Sequence, residues 1–202
     1  QVQQRHDGEL MVNDLSLQAG GPIPHHGSHQ GGRDADVLFY VLDARGEPRS
    51  AVGAPLDLDG RGVDFGDLSV SADDTPVRLD VVRTWAFVEA LLSDPEASVQ
   101  RMFVARHLRA RLLRHARRQR APADVRRRFE QVACQPGYPH DDHFHIRVFC
   151  SVDDLRAGCL DSGPMPPWRR AQLAAAGLAP RMAGPERLRA PITTAAEARR
   201  AA

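Results

Sequence analysis

The sequence predicts an α+β domain in which helices and long Gly/Pro-rich loops flank a central, mainly antiparallel sheet. Three segments carry strand signals, namely an apolar run at residues 37–42, the segment at residues 98–105 and an alternating segment at residues 143–150. Between them lie three segments whose apolar residues recur with helical spacing. The length of 202 residues and the apolar share of 42% are sufficient for one domain with a hydrophobic core.

The N-terminal part of the chain predicts one strand among loops. Residues 1–12 form a polar lead-in, and Gly20 to Arg33 are rich in Gly, Pro and His, which is typical of a loop. The apolar run from Val37 to Leu42 predicts a central strand. Gly, Pro and Asp dominate from Asp43 to Asp67, which indicates a long loop or a short hairpin.

The middle of the chain predicts three helices and a second strand. Leu79 to Leu92 predicts the first helix, with Thr84 as its N-cap. Ser98 to Ala105 predicts the strand. Apolar residues at helical spacing indicate the other two helices: Leu108, Leu112 and Ala116 in one, and Val125, Phe129 and Val132, preceded by Pro122, in the next.

The segment from His143 to Cys150 predicts a half-buried strand. Side chains two residues apart share one face of a strand, so His143 and His145 face the same space. The opposite face is wholly apolar and is expected to lie in the core. Pro, Ala and Arg become frequent after Asp161. We therefore assign residues 13–168 to the domain and residues 169–202 to a loosely ordered tail.

Charge and hydropathy exclude several function classes. We predict no nucleic-acid partner, because the net charge is only +1 and acidic residues elsewhere balance the Arg-rich run from Arg106 to Arg128. All 27 basic residues are Arg, which is typical of a GC-rich genome. No apolar run approaches the roughly 20 residues of a membrane span. The first ten residues lack the features of a signal peptide, so the chain is either cytoplasmic or trimmed of its signal.

Histidine and aspartate concentrate in two segments. His140, His143 and His145 lie in one, and His29, Asp34 and Asp36 lie in the other. A His, an Asp and a His are the ligand types of a catalytic zinc ion, which keeps a fourth position open for water. The alternatives are that the histidines are solvated on an exposed strand face, and that the aspartates cap turns and pair with Arg33.

The segments SHQGGRDAD and HDDHFHIRV together resemble the penicillin-insensitive murein endopeptidases, within the lysostaphin and D-alanyl-D-alanine peptidase superfamily. The resemblance covers roughly Asn13 to Trp168, and it includes the spacing of Cys150 and Cys159. It implies one zinc ion per chain, at the sheet, with His29, Asp36 and His145 as ligands. Cys134 has no evident partner in this pattern.

The resemblance also implies catalytic roles and a substrate. His143 would be the general base, and His140 would stabilise the oxyanion or orient His143. Asp141 or Asp142 is either a partner of a ring N–H or a plain loop residue. The expected reaction is hydrolysis of the D-alanyl-diaminopimelyl bond in peptidoglycan cross-links, in the periplasm or outside the cell. The alternatives are a D,D-carboxypeptidase or dipeptidase, and an inactive peptidoglycan-binding homologue. The oligomeric state is not predicted.

Overall fold

The computed structural model describes residues 9–18, 20–23, 26, 29–66 and 70–183, and the chain divides into two units. The first unit comprises Gln1–Leu15 and Asp34–Val148, and the second comprises Ser16–Arg33 and Phe149–Ala202. The strands are β1 (Val12–Leu15), β2 (Asp34–Leu38), β3 (Val41–Leu42), β4 (Pro48–Arg49), β5 (Arg61–Asp64), β6 (Thr75–Leu79), β7 (Val99–Phe103), β8 (Ala133–Cys134) and β9 (His143–Val148). The α-helices are α1 (Val81–Ser93), α2 (Arg106–Arg118), α3 (Ala123–Val132), α4 (Val152–Arg156) and α5 (Pro167–Ala175).

A five-stranded sheet in the order β1-β2-β9-β7-β8 organises the first unit. All its neighbouring strands are antiparallel except β7 and β8, which are parallel. The predicted α+β class with a mainly antiparallel sheet is therefore confirmed. The alternation of β9 is confirmed as well, because Phe144 and Ile146 lie in the core.

A second sheet, in the order β4-β3-β6-β5, occupies much of the region for which the sequence indicates a loop or hairpin. The single strand predicted at residues 37–42 is wrong, because β2 ends at Leu38 and β3 begins at Val41 in the other sheet. Phe39 and Tyr40 between them are both buried. The chain passes there from one sheet to the other, since β2 pairs with β9 whereas β3 pairs with β4 and β6.

Helix α1 begins two residues later than predicted, and its N-cap is Asp80. One carboxylate oxygen of Asp80 accepts hydrogen bonds of 3.0 Å from the backbone N–H groups of Val82 and Arg83. Thr84, the predicted cap, is instead buried within the helix, where its hydroxyl donates to the carbonyl of Tyr40. Leu79, the predicted start of this helix, is instead the last residue of β6, and its apolar side chain is compatible with either element.

Helices α2 and α3 and strand β7 match their predictions. The apolar side chains of α2 at Leu108, Leu112 and Ala116 are fully buried. Phe129 of α3 packs edge-on against Trp85 of α1, with ring centroids 5.6 Å apart. These helices cover the core of the first unit, which also includes Met102 of β7.

The second unit contains the only disulfide among the described residues, which joins Cys150 and Cys159. Its small core consists of Cys150, Leu155 and Leu173. Leu173 belongs to α5, which spans the predicted start of the tail at residue 169; residues 184–202 lie outside the described residues. Cys134 is exposed and unbonded in the first unit. No helix of the described residues is long and apolar enough to cross a bilayer.

Candidate active site

Strands β2 and β9 bring four ionisable side chains to one face of the sheet. In their antiparallel register Asp36 lies opposite His145, and Asp34 lies opposite Arg147. Because side chains alternate along a strand, both pairs point to the same side, away from Phe144 and Ile146.

Asp36 and His145 are in direct contact, with the Nδ1 atom of His145 2.9 Å from a carboxylate oxygen of Asp36. Both residues are only 3% exposed. A buried carboxylate beside an imidazole nitrogen is a pair of donors suited to a metal ion. His29, the third predicted ligand, lies in the second unit, where it is buried and its ring centroid is 4.5 Å from that of His26.

Asp34 holds the other side of the His145 ring. The Nε2 atom of His145 lies 3.0 Å from Asp34, which also accepts two hydrogen bonds from Arg147, at 2.6 and 3.0 Å. Burial opposes ionisation of Asp34, but the hydrogen bonds from His145 and Arg147 outweigh burial and lower its pKa below the ordinary value. The two ring nitrogens of His145 thus face two aspartates, Nε2 toward Asp34 and Nδ1 toward Asp36.

Arg33 pairs with Asp161 at 3.2 Å, within the second unit. Asp34 is bound by Arg147, and this contact could not be found without the register of β2 and β9. Alternation alone indicates that Arg147 shares a face with His145, which is the one signal the sequence offers.

His143 and Asp142 form a second His–Asp pair. The Nδ1 atom of His143 lies 2.5 Å from a carboxylate oxygen of Asp142, and Nε2 lies 3.6 Å from Asp36. Burial lowers the pKa of His143, but the hydrogen bond and the charges of Asp142 and Asp36 outweigh it and raise the pKa above the ordinary value. Of the two aspartates considered as partners, Asp142 contacts a histidine ring, whereas the backbone carbonyl of Asp141 accepts from Leu56.

His140 lies just before β9 with a positive φ of 57°. Its Nδ1 atom is 3.2 Å from the carbonyl of Tyr138, and its ring centroid lies 5.0 Å from that of His143 and 5.8 Å from that of His145. Burial is the main cause that lowers the pKa of His140. Phe103 of β7 stacks on His145, with centroids 5.2 Å apart. The three imidazole rings of His140, His143 and His145 therefore lie close together near Asp36.

A sequence model of the penicillin-insensitive murein endopeptidases matches residues 1–172 of the chain. The chain belongs to this family. The family resemblance read from the two histidine segments is thereby confirmed, and the His-rich face of β9 lies within the matched region.

Curated members of the family have moderate identity to the chain. The penicillin-insensitive murein endopeptidase of Haemophilus influenzae is 28% identical over 163 residues, which are 78% of this chain and 48% of that protein. Those of Yersinia enterocolitica and Salmonella paratyphi C are 28% and 29% identical, over 79% and 83% of this chain. The alignments cover 51% and 54% of those two proteins, so the chain spans about half the length of its relatives.

Proposed function

We propose that the chain is a zinc-dependent endopeptidase that hydrolyses the peptide cross-links of peptidoglycan. The observation that carries the proposal is the register of β2 and β9, which joins Asp36 to His145 and leaves His143 on the same face. The names of its family and relatives, which are murein endopeptidases, support the substrate class. Such a substrate requires action in the periplasm or outside the cell.

The donor set fits a catalytic zinc ion. Asp36 supplies a carboxylate oxygen, His145 supplies Nδ1, and His29 supplies a second imidazole. Three nitrogen and oxygen ligands leave the fourth position of zinc for water. When bound, the ion would polarise the scissile carbonyl and bring the pKa of water down toward about 7. One ion per chain is expected.

His143 is the general base in this proposal. Its Nδ1–H is held by Asp142, so Nε2 faces the shared space and can accept a proton. His143 takes this proton from the attacking water and returns it to the leaving amine as the carbon–nitrogen bond breaks. Asp142 keeps the ring oriented and stabilises its protonated form.

His140 is the third imidazole beside this site, and we assign it either to the oxyanion or to the orientation of His143. Its Nδ1 faces the Tyr138 carbonyl and therefore carries the N–H, so Nε2 must take up a proton before it can donate to the oxyanion of the tetrahedral intermediate. The bond we propose for cleavage is the D-alanyl-diaminopimelyl bond.

The test is digestion of purified sacculi by the wild type, His145→Ala and His143→Ala, with zinc content measured in parallel. We expect about one zinc per wild-type chain and cleavage of cross-linked dimers. His145→Ala should lose metal and activity, whereas His143→Ala should keep metal and lose activity. A metal-free wild type would contradict the ligand set. Release of terminal D-alanine alone would identify a carboxypeptidase, and zinc binding without any cleavage would identify a binding homologue.

A further inference from the structure

Helix α2 concentrates positive charge on a chain whose net charge is only +1. Its 13 residues include six arginines and no acidic residue. A genome that favours Arg codons explains why the basic residues are Arg and not Lys. The chain has 26 acidic residues, and codon preference does not explain why none of them lies in this helix.

Four of these arginines are exposed, and the three of them other than Arg117 form what we call the arginine face: Arg106, Arg114 and Arg118. The other arginines of the helix have structural roles, since Arg109 and Arg111 donate to backbone carbonyls and Arg117 pairs with Glu130. Among the described residues, no hydrogen bond or ion pair involves the guanidinium groups of the arginine face. With a rise of about 1.5 Å per residue, this face is about 18 Å long.

The arginine face begins beside the candidate active site. The backbone N–H of Ala105, the residue before α2, donates a hydrogen bond of 2.7 Å to the carbonyl of His140. A polymer whose reacting bond lies near His140 and His143 can therefore extend along α2. At about 0.1 M salt the screening length is about 10 Å, so such a polymer responds to the local arginine face and little to the chain's net charge.

We infer that the arginine face binds the anionic peptidoglycan polymer outside the scissile bond and holds the enzyme on the cell wall. This inference rests on the proposed function, because it takes the wall as the substrate. Wall peptides carry free carboxylates, which Arg recognises with two parallel hydrogen bonds. The positive charge of the arginine face therefore complements the carboxylates of the same peptidoglycan polymer that contains the scissile bond.

The test compares two triple variants of equal charge. R106Q/R114Q/R118Q removes the arginine face, and R45Q/R61Q/R78Q removes three exposed arginines from the second sheet. Both are made in the His143→Ala background, so binding to intact sacculi is measured without digestion. At about 50 mM salt we expect the first triple to bind at least about tenfold more weakly and the second to bind within about twofold of the parent. Raising the salt to about 0.5 M, or amidating the sacculus carboxylates, should abolish the difference.

Three results would overturn the inference. Equal losses in both triples would mean that only net charge matters, and no loss in either would mean that the wall does not contact α2. A loss of binding to phosphatidylglycerol vesicles but not to sacculi would assign the arginine face to a membrane surface. The proposed function is tested separately, because wild-type digestion of sacculi can fail or succeed whatever the binding assay gives.

Discussion

Asp34 lies 3.0 Å from Nε2 of His145, and this contact leads to the first prediction. With zinc at Nδ1, the ring would donate from Nε2 to Asp34, and Asp34→Asn weakens that acceptor. We expect zinc affinity to fall by about 10- to 100-fold, the usual effect of losing a partner behind a metal-binding histidine. Zinc affinity is measured by competition with a chromophoric chelator.

The matched control for Asp34 is Asp64→Asn. Asp64 is equally buried and accepts from Arg49 and two backbone N–H groups, but it lies in the second sheet. Its loss should lower the free energy of unfolding without changing zinc affinity. If Asp34→Asn kept wild-type zinc affinity and only lowered stability, Asp34 would be a structural residue.

A second prediction separates Asp142 from its neighbour. Asp142→Asn removes the carboxylate that orients His143 and stabilises its protonated form, so kcat on a cross-linked peptide should fall by about 100-fold, at the lower end of general-base effects. Zinc content should not change. Asp141→Asn, in which the adjacent carboxylate contacts neither histidine, should retain kcat within about threefold. Equal losses in both variants would argue against the His143–Asp142 pair.

At the residue scale, the sequence could predict which side chains share a face but not which strand they would meet. The alternation from His143 to Val148 is enough to place His143 with His145. The contacts Asp34–His145 and Asp34–Arg147 depend on the register of strands that are separated by more than a hundred residues. No local spacing encodes that register, so these contacts could be found only from the structure.

At the scale of elements, the cap of α1 provides the third prediction. Asp80 accepts from two backbone N–H groups and pairs with Arg83 at 2.6 Å, and both residues are buried. Asp80→Ala leaves the Arg83 charge without this partner, so we expect a loss of about 3–5 kcal/mol in the free energy of unfolding. Urea denaturation measures this loss.

Thr84→Val is the comparison for the Asp80 variant, because Thr84 is the N-cap that the sequence predicts. The hydroxyl of Thr84 makes only a long hydrogen bond of 3.4 Å, so we expect a cost of about 1 kcal/mol. A larger loss for Thr84→Val than for Asp80→Ala would contradict the observed start of α1.

Elements with strong periodicity were predicted, and those that depend on tertiary pairing were not. Helices α2 and α3 bury complete apolar stripes, so their pattern alone is sufficient. Strands β3 and β4 have two residues each, and they are too short to show any period. Strand β1 is exposed over most of its length, so its residues resemble a polar lead-in. The second sheet and the edge strand β1 of the first sheet therefore could not be predicted from the sequence.

At the scale of the whole molecule, the free energy of unfolding depends on pH through ionisable side chains whose contributions change in opposite directions. Burial opposes ionisation of Asp34 and Asp142. Hydrogen bonds from His145 and Arg147 to Asp34, and from His143 to Asp142, nevertheless lower both pKa values, so the stability that these aspartates contribute is lost as the pH falls. Interactions with aspartate raise the pKa of His143 and His145, whose contribution is lost as the pH rises. A pH profile of the wild type alone therefore cannot be assigned to one residue.

His115 allows one of these contributions to be isolated, because it is buried in α2 and does not belong to the candidate active site. Burial, and then the charge of Arg118, lower the pKa of His115 in the folded chain below its unfolded value of about 6.5. The unfolded chain therefore binds more protons in this range. The stability contribution of His115 is present above pH of about 6.5 and is lost as the pH falls through the folded pKa.

We therefore predict that His115→Gln makes the free energy of unfolding less sensitive to acid. Between about pH 7 and pH 5 the free energy of unfolding should fall more for the wild type than for the variant. The reason is that the imidazole of His115 takes up a proton more readily in the unfolded chain than in the folded chain, where it is buried. Urea denaturation of both proteins at the two pH values measures the difference, in which the contributions of the aspartates and of His143 and His145 cancel. A wild type that lost less stability than His115→Gln on acidification would show that protonated His115 is stabilised in the fold, and the packing of α2 around it would need another explanation.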